Sequence, residues 1–264
     1  MSESGLTVRR EGAVARIAFD RPARRNALGD TTVRQLLAAC RDAIADDAVR
    51  VLVITGEGDA FCAGGDFKDT FERGAGRPEA EWRERIRTGP NELARCLTGS
   101  PKPVVACVNG AAVGGGATIA LACDWRIASD RARFGFPFVR LGLAPEFGSS
   151  RLLARAVGHA KALELLLDGE LVEAAEAARI GLVNEVVPHG ELEAATARRA
   201  RRLAALPPQA TARMKSMLRR AEAMDLEAVL AMEADELARA FGTAEHREAV
   251  RAFLARKAGG RPRD

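Results

Sequence analysis

The chain has 264 residues, 47% of them hydrophobic and 29% charged, a balance that fits a globular protein with a sizeable core and excludes disordered and fibrous classes. Its 40 Lys and Arg are nearly matched by 36 Asp and Glu, and the arginine clusters are not interleaved with aromatics as in a nucleic-acid platform, so no nucleic-acid partner is expected. No apolar run approaches the roughly 20 residues of a membrane span, and 5 cysteines with neither a CxxC pair nor a secretory leader argue against a disulfide framework and for a reducing cytoplasm.

Residues 6–19 alternate around Glu11-Gly12 and predict a β-hairpin, broken by Asp20-Arg21-Pro22. From Asp30 to about Asp46, Val33, Leu36, Leu37, Cys40 and Ile44 recur at helical spacing. The short apolar runs 51–55 and 104–108 read as strands covered on both faces, with a helical stretch over 79–97 between them. A glycine-opened helix over 114–123 and a third strand over 125–128 follow, so strand and helix units alternate as in an α/β protein. After Pro188 the character changes. Residues 191–206, 209–224, 226–241 and 244–257 all carry helical periodicity, which predicts an α/β core over 1–190 and a C-terminal helical segment over 191–264.

Two glycine-rich segments follow the two best strands, FCAGGD at 61–66 and NGAAVGGG at 109–116. Glycine allows close backbone approach to a ligand, and amides opening a helix carry partial positive charge. Two such loops together can supply the paired donors of an oxyanion hole, whereas one alone reads better as a tight turn and close helix packing. Spacing excludes a dinucleotide fingerprint, a phosphate loop and a nucleophile elbow. His159, His189 and His246 are too scattered for a metal site and read as surface residues, so no metal is expected; the cysteines read as small core side chains. Glu146 stands among Leu141, Leu143, Ala144, Pro145 and Phe147. It is either a helix-opening carboxylate beside the dipole or a base in an apolar pocket; the residues themselves leave both open.

AFCAGGDFKD and VNGAAVGGGATIALACD, with RPARRNAL at 21–28, LELLLDGELVEAAEAARIGLVNEVVP at 163–188 and AFLARK at 252–257, resemble the signature segments of the crotonase, or enoyl-CoA hydratase/isomerase, superfamily. The resemblance covers nearly the whole chain. It implies a spiral of ββα repeats with a C-terminal α-helical segment, assembled as a homotrimer or dimer of trimers. It also implies an acyl-CoA substrate and no separate cofactor, since coenzyme A is part of the substrate. Carried over by position, the oxyanion amides fall on Gly65 and Gly115. Coenzyme A contacts fall on Arg25, Ala27, Ala63, Asp66 and Lys68, with Phe253 and Arg256 completing the nucleotide pocket of a neighbouring subunit.

The departures from the family pattern carry information. Where hydratases of this family place two glutamates, this chain has Thr118 and Phe138, which line the acyl pocket and cannot act as carboxylate bases. PFVRLGLAPEFGSS at 137–150 instead resembles the Δ3,Δ2-enoyl-CoA isomerase branch, which implies that Glu146 works alone as proton shuttle. The alternatives are a hydratase, another crotonase reaction such as aromatic or epoxide acyl-CoA isomerisation, and a non-catalytic acyl-CoA-binding protein.

Overall fold

The computed structural model describes residues 5–72, 74 and 76–258, with side chains at all of these except 71 and 256–258. β1 (Leu6–Glu11) and β2 (Val14–Phe19) form the expected hairpin. Its turn contains Gly12 at φ 62°, where a side chain is strained. α1 (Asp30–Ala45) buries Val33, Leu36, Leu37 and Cys40 of the expected stripe together with Ala43, while Ile44 is half-buried against the same core. At its C-terminal end Lys102 Nζ donates to the carbonyls of Ala43 (3.1 Å) and Asp46 (2.7 Å).

The core is built by repetition. β3 (Val51–Gly56) and β4 (Ala60–Cys62) precede α2 (Glu79–Thr88) and α3 (Pro90–Gly99). β5 (Val104–Val108) and β6 (Ala111–Val113) precede α4 (Gly115–Ala122), and β7 (Trp125–Ser129) and β8 (Arg133–Gly135) precede α5 (Ser149–Val157) and α6 (His159–Asp168). The first strand of each repeat joins a six-stranded sheet of order β1-β2-β3-β5-β7-β10; the second joins a four-stranded sheet of order β4-β6-β8-β9. The set is completed by β9 (Leu171–Glu173), α7 (Ala174–Arg179), β10 (Glu185–Val187) and α8 (Leu192–Ala204). This is the ββα spiral expected from the sequence. It differs in two details. The two glycine segments, read as loops, contain the short strands β4 and β6, and the single helix expected over 79–97 is broken at Gly89 because Pro90 cannot donate the next helical bond.

Alternate residues of the central strands sort into two interiors. Leu52, Ile54, Val104, Ala106 and Val108 face the cluster under α1 and α3, while Val51, Val53, Val105, Cys107 and Ile127 face Leu192, Ala195 and Ala200 of α8. Both faces are therefore apolar, which is why these strands read as continuous hydrophobic runs.

The chain divides into two compact units, Met1–Ala204 and Ala205–Asp264. The division falls later than residue 190 because α8 is the cover of the sheet. In the second unit are α9 (Pro208–Ala221), α10 (Leu226–Phe241) and α11 (Ala244–Ala258). Asp225 caps α10 through Ala228 N–H at 2.8 Å, and the Glu245 carboxylate accepts the Gln209 and Ala210 amides that open α9, both at 2.9 Å. Met214, Leu218, Leu230, Leu237, Phe241, Phe253 and Leu254 of this unit are exposed in the single chain. Among the described residues no helix is long and apolar enough to cross a membrane.

Candidate active site

Parallel pairing of β4 with β6, Ala60 opposite Ala111 and Cys62 opposite Ala112, lays the two glycine segments side by side. The approach leaves no room for side chains: a Cβ at Gly116 would lie 2.1 Å from the Cys62 carbonyl oxygen, and one at Gly64 2.7 Å from that of Val113. Leu28 closes the arrangement. Its N–H donates to Gly64 O (2.7 Å) and its carbonyl accepts from Asp66 N–H (2.8 Å), an isolated parallel bridge that turns the N–H of Gly65 to the other side. Gly115 is the first residue of α4, where amides have no intrahelical acceptor. Among the described residues neither the Gly65 nor the Gly115 N–H has a partner.

Glu146 lies against the second of these glycines. A Cβ at Gly115 would lie 3.1 Å from Glu146 Oε1, 3.0 Å from Phe147 Cε2 and 3.1 Å from Leu28 Cδ1. The carboxylate thus sits against Gly115 between an aromatic ring and a leucine, and not within a helical first turn. Phe147 causes this. It is buried yet left-handed at φ 53°, a conformation costly for a bulky residue, and it turns the chain ahead of Gly148, the residue that caps α5. Burial holds the Glu146 carboxyl above its ordinary range, and the Arg85 guanidinium on α2 partly opposes that rise. Arg85 donates through Nε to Asp30, the first residue of α1, and lies 4.9 Å from the centroid of the Trp82 ring.

The two positions where hydratases place acids hold none. Thr118 is fully buried and its hydroxyl donates to Gly114 O at 3.2 Å; Phe138 is buried with its ring edge 3.9 Å from a Cβ at Gly114. Behind the glycines, burial pushes the Cys62 thiol up to about 12, so it is neither a thiolate nor a charge.

Of the residues expected to touch coenzyme A, five gather beside the first glycine segment. Ala63 N–H donates to Arg25 O at 3.0 Å, Arg25 is itself left-handed and exposed, Ala27 O accepts Arg21 Nη1 at 2.9 Å, and Lys68 is exposed. The Asp66 carboxylate is buried and accepts Arg21 (3.1 Å) and Arg24 (3.0 Å). Burial pushes it up, and bonds from Arg24, the Asp69 amide and Arg21 outweigh that and hold it below the ordinary range. Its contribution to a ligand therefore runs through the two guanidinium groups it places. Arg24 was not singled out in the sequence. Phe253 is exposed on α11 in the second unit, and the Arg256 side chain lies outside the described residues. The histidines are less superficial than expected: His159 is exposed, but His189 Nδ1 meets Ser129 Oγ at 3.0 Å and His246 packs edge-on against Phe241.

Residues 9–259 match the family described as Enoyl-CoA hydratase/isomerase. The chain is 35% identical over 258 residues to the short-chain-enoyl-CoA hydratase of Clostridium acetobutylicum, spanning 97% of both chains. It is 36% identical over 253 residues to enoyl-CoA delta isomerase 2 of Rattus norvegicus, spanning 96% of this chain and 64% of that one. The crystal structure of an enoyl-CoA hydratase from Bacillus anthracis superimposes with a TM-score of 0.89 at 30% identity, covering 96% of this chain and 97% of that one.

Proposed function

The chain belongs to the enoyl-CoA hydratase/isomerase family of crotonase-fold enzymes, and we propose that within it this protein is an acyl-CoA isomerase that moves a double bond from C3 to C2 using Glu146 as its single proton carrier. The thioester oxygen is held by the N–H groups of Gly65 and Gly115, which stabilise the negative charge that develops there as the enolate forms. Glu146 takes a proton from C2, the electrons of that C–H bond delocalise through the C3 double bond into a dienolate, and the same carboxyl group returns the proton to C4. The carboxylate is regenerated, water is neither consumed nor released, and no cofactor is required beyond the coenzyme A of the substrate.

One observation carries this reading: the Glu146 carboxylate stands against Gly115, while Thr118 and Phe138 occupy the two places where the resemblance puts the hydratases' glutamates. Addition of water needs groups that hold the water, deprotonate it and protonate C2, and one carboxylate flanked by Phe147 and Leu28 is poorly equipped for all three. Transfer from C2 to C4 asks for one group. The relatives include both hydratases and an isomerase, so the choice rests on these residues and not on the relatives' names. The exposed apolar side chains of α9 to α11 support assembly into a trimer or a dimer of trimers.

The test is to assay crotonyl-CoA hydration and 3-hexenoyl-CoA isomerisation on one preparation, with C2 exchange in D2O followed by mass spectrometry. Isomerisation should exceed hydration by about 10² or more, the loss typical of a missing acid–base group. Hydration at an equal rate overturns the single-carboxylate reading, and binding without any C2 exchange would mark a non-catalytic acyl-CoA-binding protein.

A further inference from the structure

An oxyanion hole works only if its two amides keep one spacing, because a donor misplaced by about 1 Å gives up much of its hold on the developing charge. Gly65 and Gly115 belong to different segments, and glycine by itself fixes little. Something outside the pair has to set the distance between them. That constraint lies at the start of β4, the strand that leads to Gly65.

The carbonyl of Ala60, which opens β4, accepts two side-chain carboxamides. Asn26 Nδ2 donates to it at 2.7 Å and Asn109 Nδ2 at 3.3 Å. Each also holds a second carbonyl of the turn that precedes β4: Asn26 Nδ2 donates to Glu57 O at 2.9 Å, and Asn109 Nδ2 to Gly58 O at 2.7 Å. Both asparagines are buried. They arrive from the two segments that complete the hole. Asn26 stands just ahead of Leu28, whose backbone bridges Gly65, and Asn109 just ahead of β6, the strand that leads to Gly115. Asn26 is left-handed at φ 58°, a conformation asparagine adopts more readily than most residues, and its Oδ1 accepts the Arg21 N–H at 2.9 Å, so its carboxamide is held at both ends. The packing around that turn is close: a Cβ at Gly56 would lie 2.2 Å from Ala60 O and 2.6 Å from Asn26 Nδ2, and one at Gly110 1.9 Å from Asp59 O.

We propose that Asn26 and Asn109 are positioning residues for the oxyanion hole: by sharing Ala60 O they tie the segments that carry Gly65, Gly115 and the Leu28 bridge to one atom, and so set the spacing of the two donor amides. Neither touches the thioester. The proposal deepens the reading of Gly65 and Gly115 as the donors and rests on it. A carboxamide suits the task because its NH2 group has two donors in one plane, enough to grip Ala60 O and a second carbonyl together, and because it brings no charge into a buried place.

The experiment reads the substrate carbonyl directly, by infrared difference spectra of bound hexanoyl-CoA, a saturated thioester with no double bond to move, carrying ¹²C or ¹³C at the thioester carbonyl. In the wild-type protein the carbonyl band should fall below that of the free thioester, because two N–H donors polarise the bond. The variants are Asn109→Ala, Asn109→Ser and Asn26→Gly, which keeps the left-handed backbone and removes the carboxamide. In each the band should move back toward the free position, and kcat for C2 exchange in D2O should fall about 10- to 100-fold with KM within about threefold of wild type. Asn26→Gly combined with Asn109→Ala should lose less than the product of the single losses, since both act through one carbonyl. Folded variants that keep the wild-type band and rate, or that lose rate while the bound band stays in place, overturn the proposal. Failure of all three to fold overturns it too, because the carboxamides would then serve the fold alone. If instead the wild-type band does not move on binding, the assignment of Gly65 and Gly115 as donors fails, and the proposal with it.

Discussion

Adding one methyl group at Gly115 isolates the carboxylate from the amide that sits beside it. Gly115 has ordinary helical geometry, so Gly115→Ala imposes no backbone strain and keeps the N–H in place. The new Cβ, however, arrives 3.0 Å from Phe147 Cε2 and 3.1 Å from both Glu146 Oε1 and Leu28 Cδ1. Relaxed contacts between heavy atoms lie at about 3.5–4.0 Å, so these neighbours must withdraw by roughly half an ångström, and Glu146 is the one with a reacting atom to misplace. Misplacement by about 1 Å costs up to about 10²-fold, so C2 exchange at saturating substrate should fall about 10- to 100-fold. Stability should change little, because replacing glycine within a helix gains about 1 kcal/mol and overpacking costs about 1–3 kcal/mol. The assay pairs C2 exchange in D2O with thermal melts. Gly116→Ala is the control for a backbone clash: its Cβ would sit 2.1 Å from the Cys62 carbonyl oxygen, and that variant should not fold. A folded Gly115→Ala protein exchanging C2 protons at the wild-type rate would refute the placement of the base against this glycine.

Glu146→Gln should reduce isomerisation by about 10² to 10⁴ while retaining acyl-CoA binding, measured by isothermal titration. Because the folded-state value of this carboxyl is raised above 4.5, the folded protein binds more protons than the unfolded chain above that pH, and stability declines as pH rises through the window up to the folded value. The same variant removes that penalty, so its melting temperature at pH 7 should exceed wild type, and the difference should vanish well below pH 4.5. Asp66→Asn should act in the opposite sense. The folded carboxylate is held below its ordinary value, so its stabilisation is present above that range and disappears as pH falls through the folded value. Denaturant titration should show a loss of about 2–3 kcal/mol at pH 7 that shrinks on acidification, together with weaker binding of coenzyme A; equal stability of the two proteins at pH 7 would remove Asp66 as the anchor of Arg21 and Arg24.

The larger elements were legible because their chemistry is local. The stripe of Val33, Leu36, Leu37 and Cys40 and the apolar runs of β3 and β5 are periodic patterns that survive any tertiary arrangement. β4, β6, β8 and β9 are three residues each, too short for a period of two to register, and they exist because neighbouring repeats pair. Gly89-Pro90 was a visible breaker within a strong helical pattern. Gly65 and Gly115 were found through motif and loop position. The role of Glu146 stayed open at the level of residues, because its place against Gly115 is a tertiary contact between segments about 30 residues apart that no local pattern displays. Arg85 carried no signal: its bond to Asp30 arises from how α2 meets the start of α1, and nothing in EWRERIR distinguishes it from a solvated arginine.

The pairing that lays the glycine segments together has a bearing on how the protein reaches its active state. Ala60 meets Ala111, and Leu28 meets Gly65, across long stretches of intervening chain. Such contacts form only after the entropy of closing those loops has been overcome, later than the helices, which organise locally. A nascent or refolding chain can therefore hold much of its helix while its two donor amides are still apart. Competence for chemistry then waits on pairings that no local segment can make by itself.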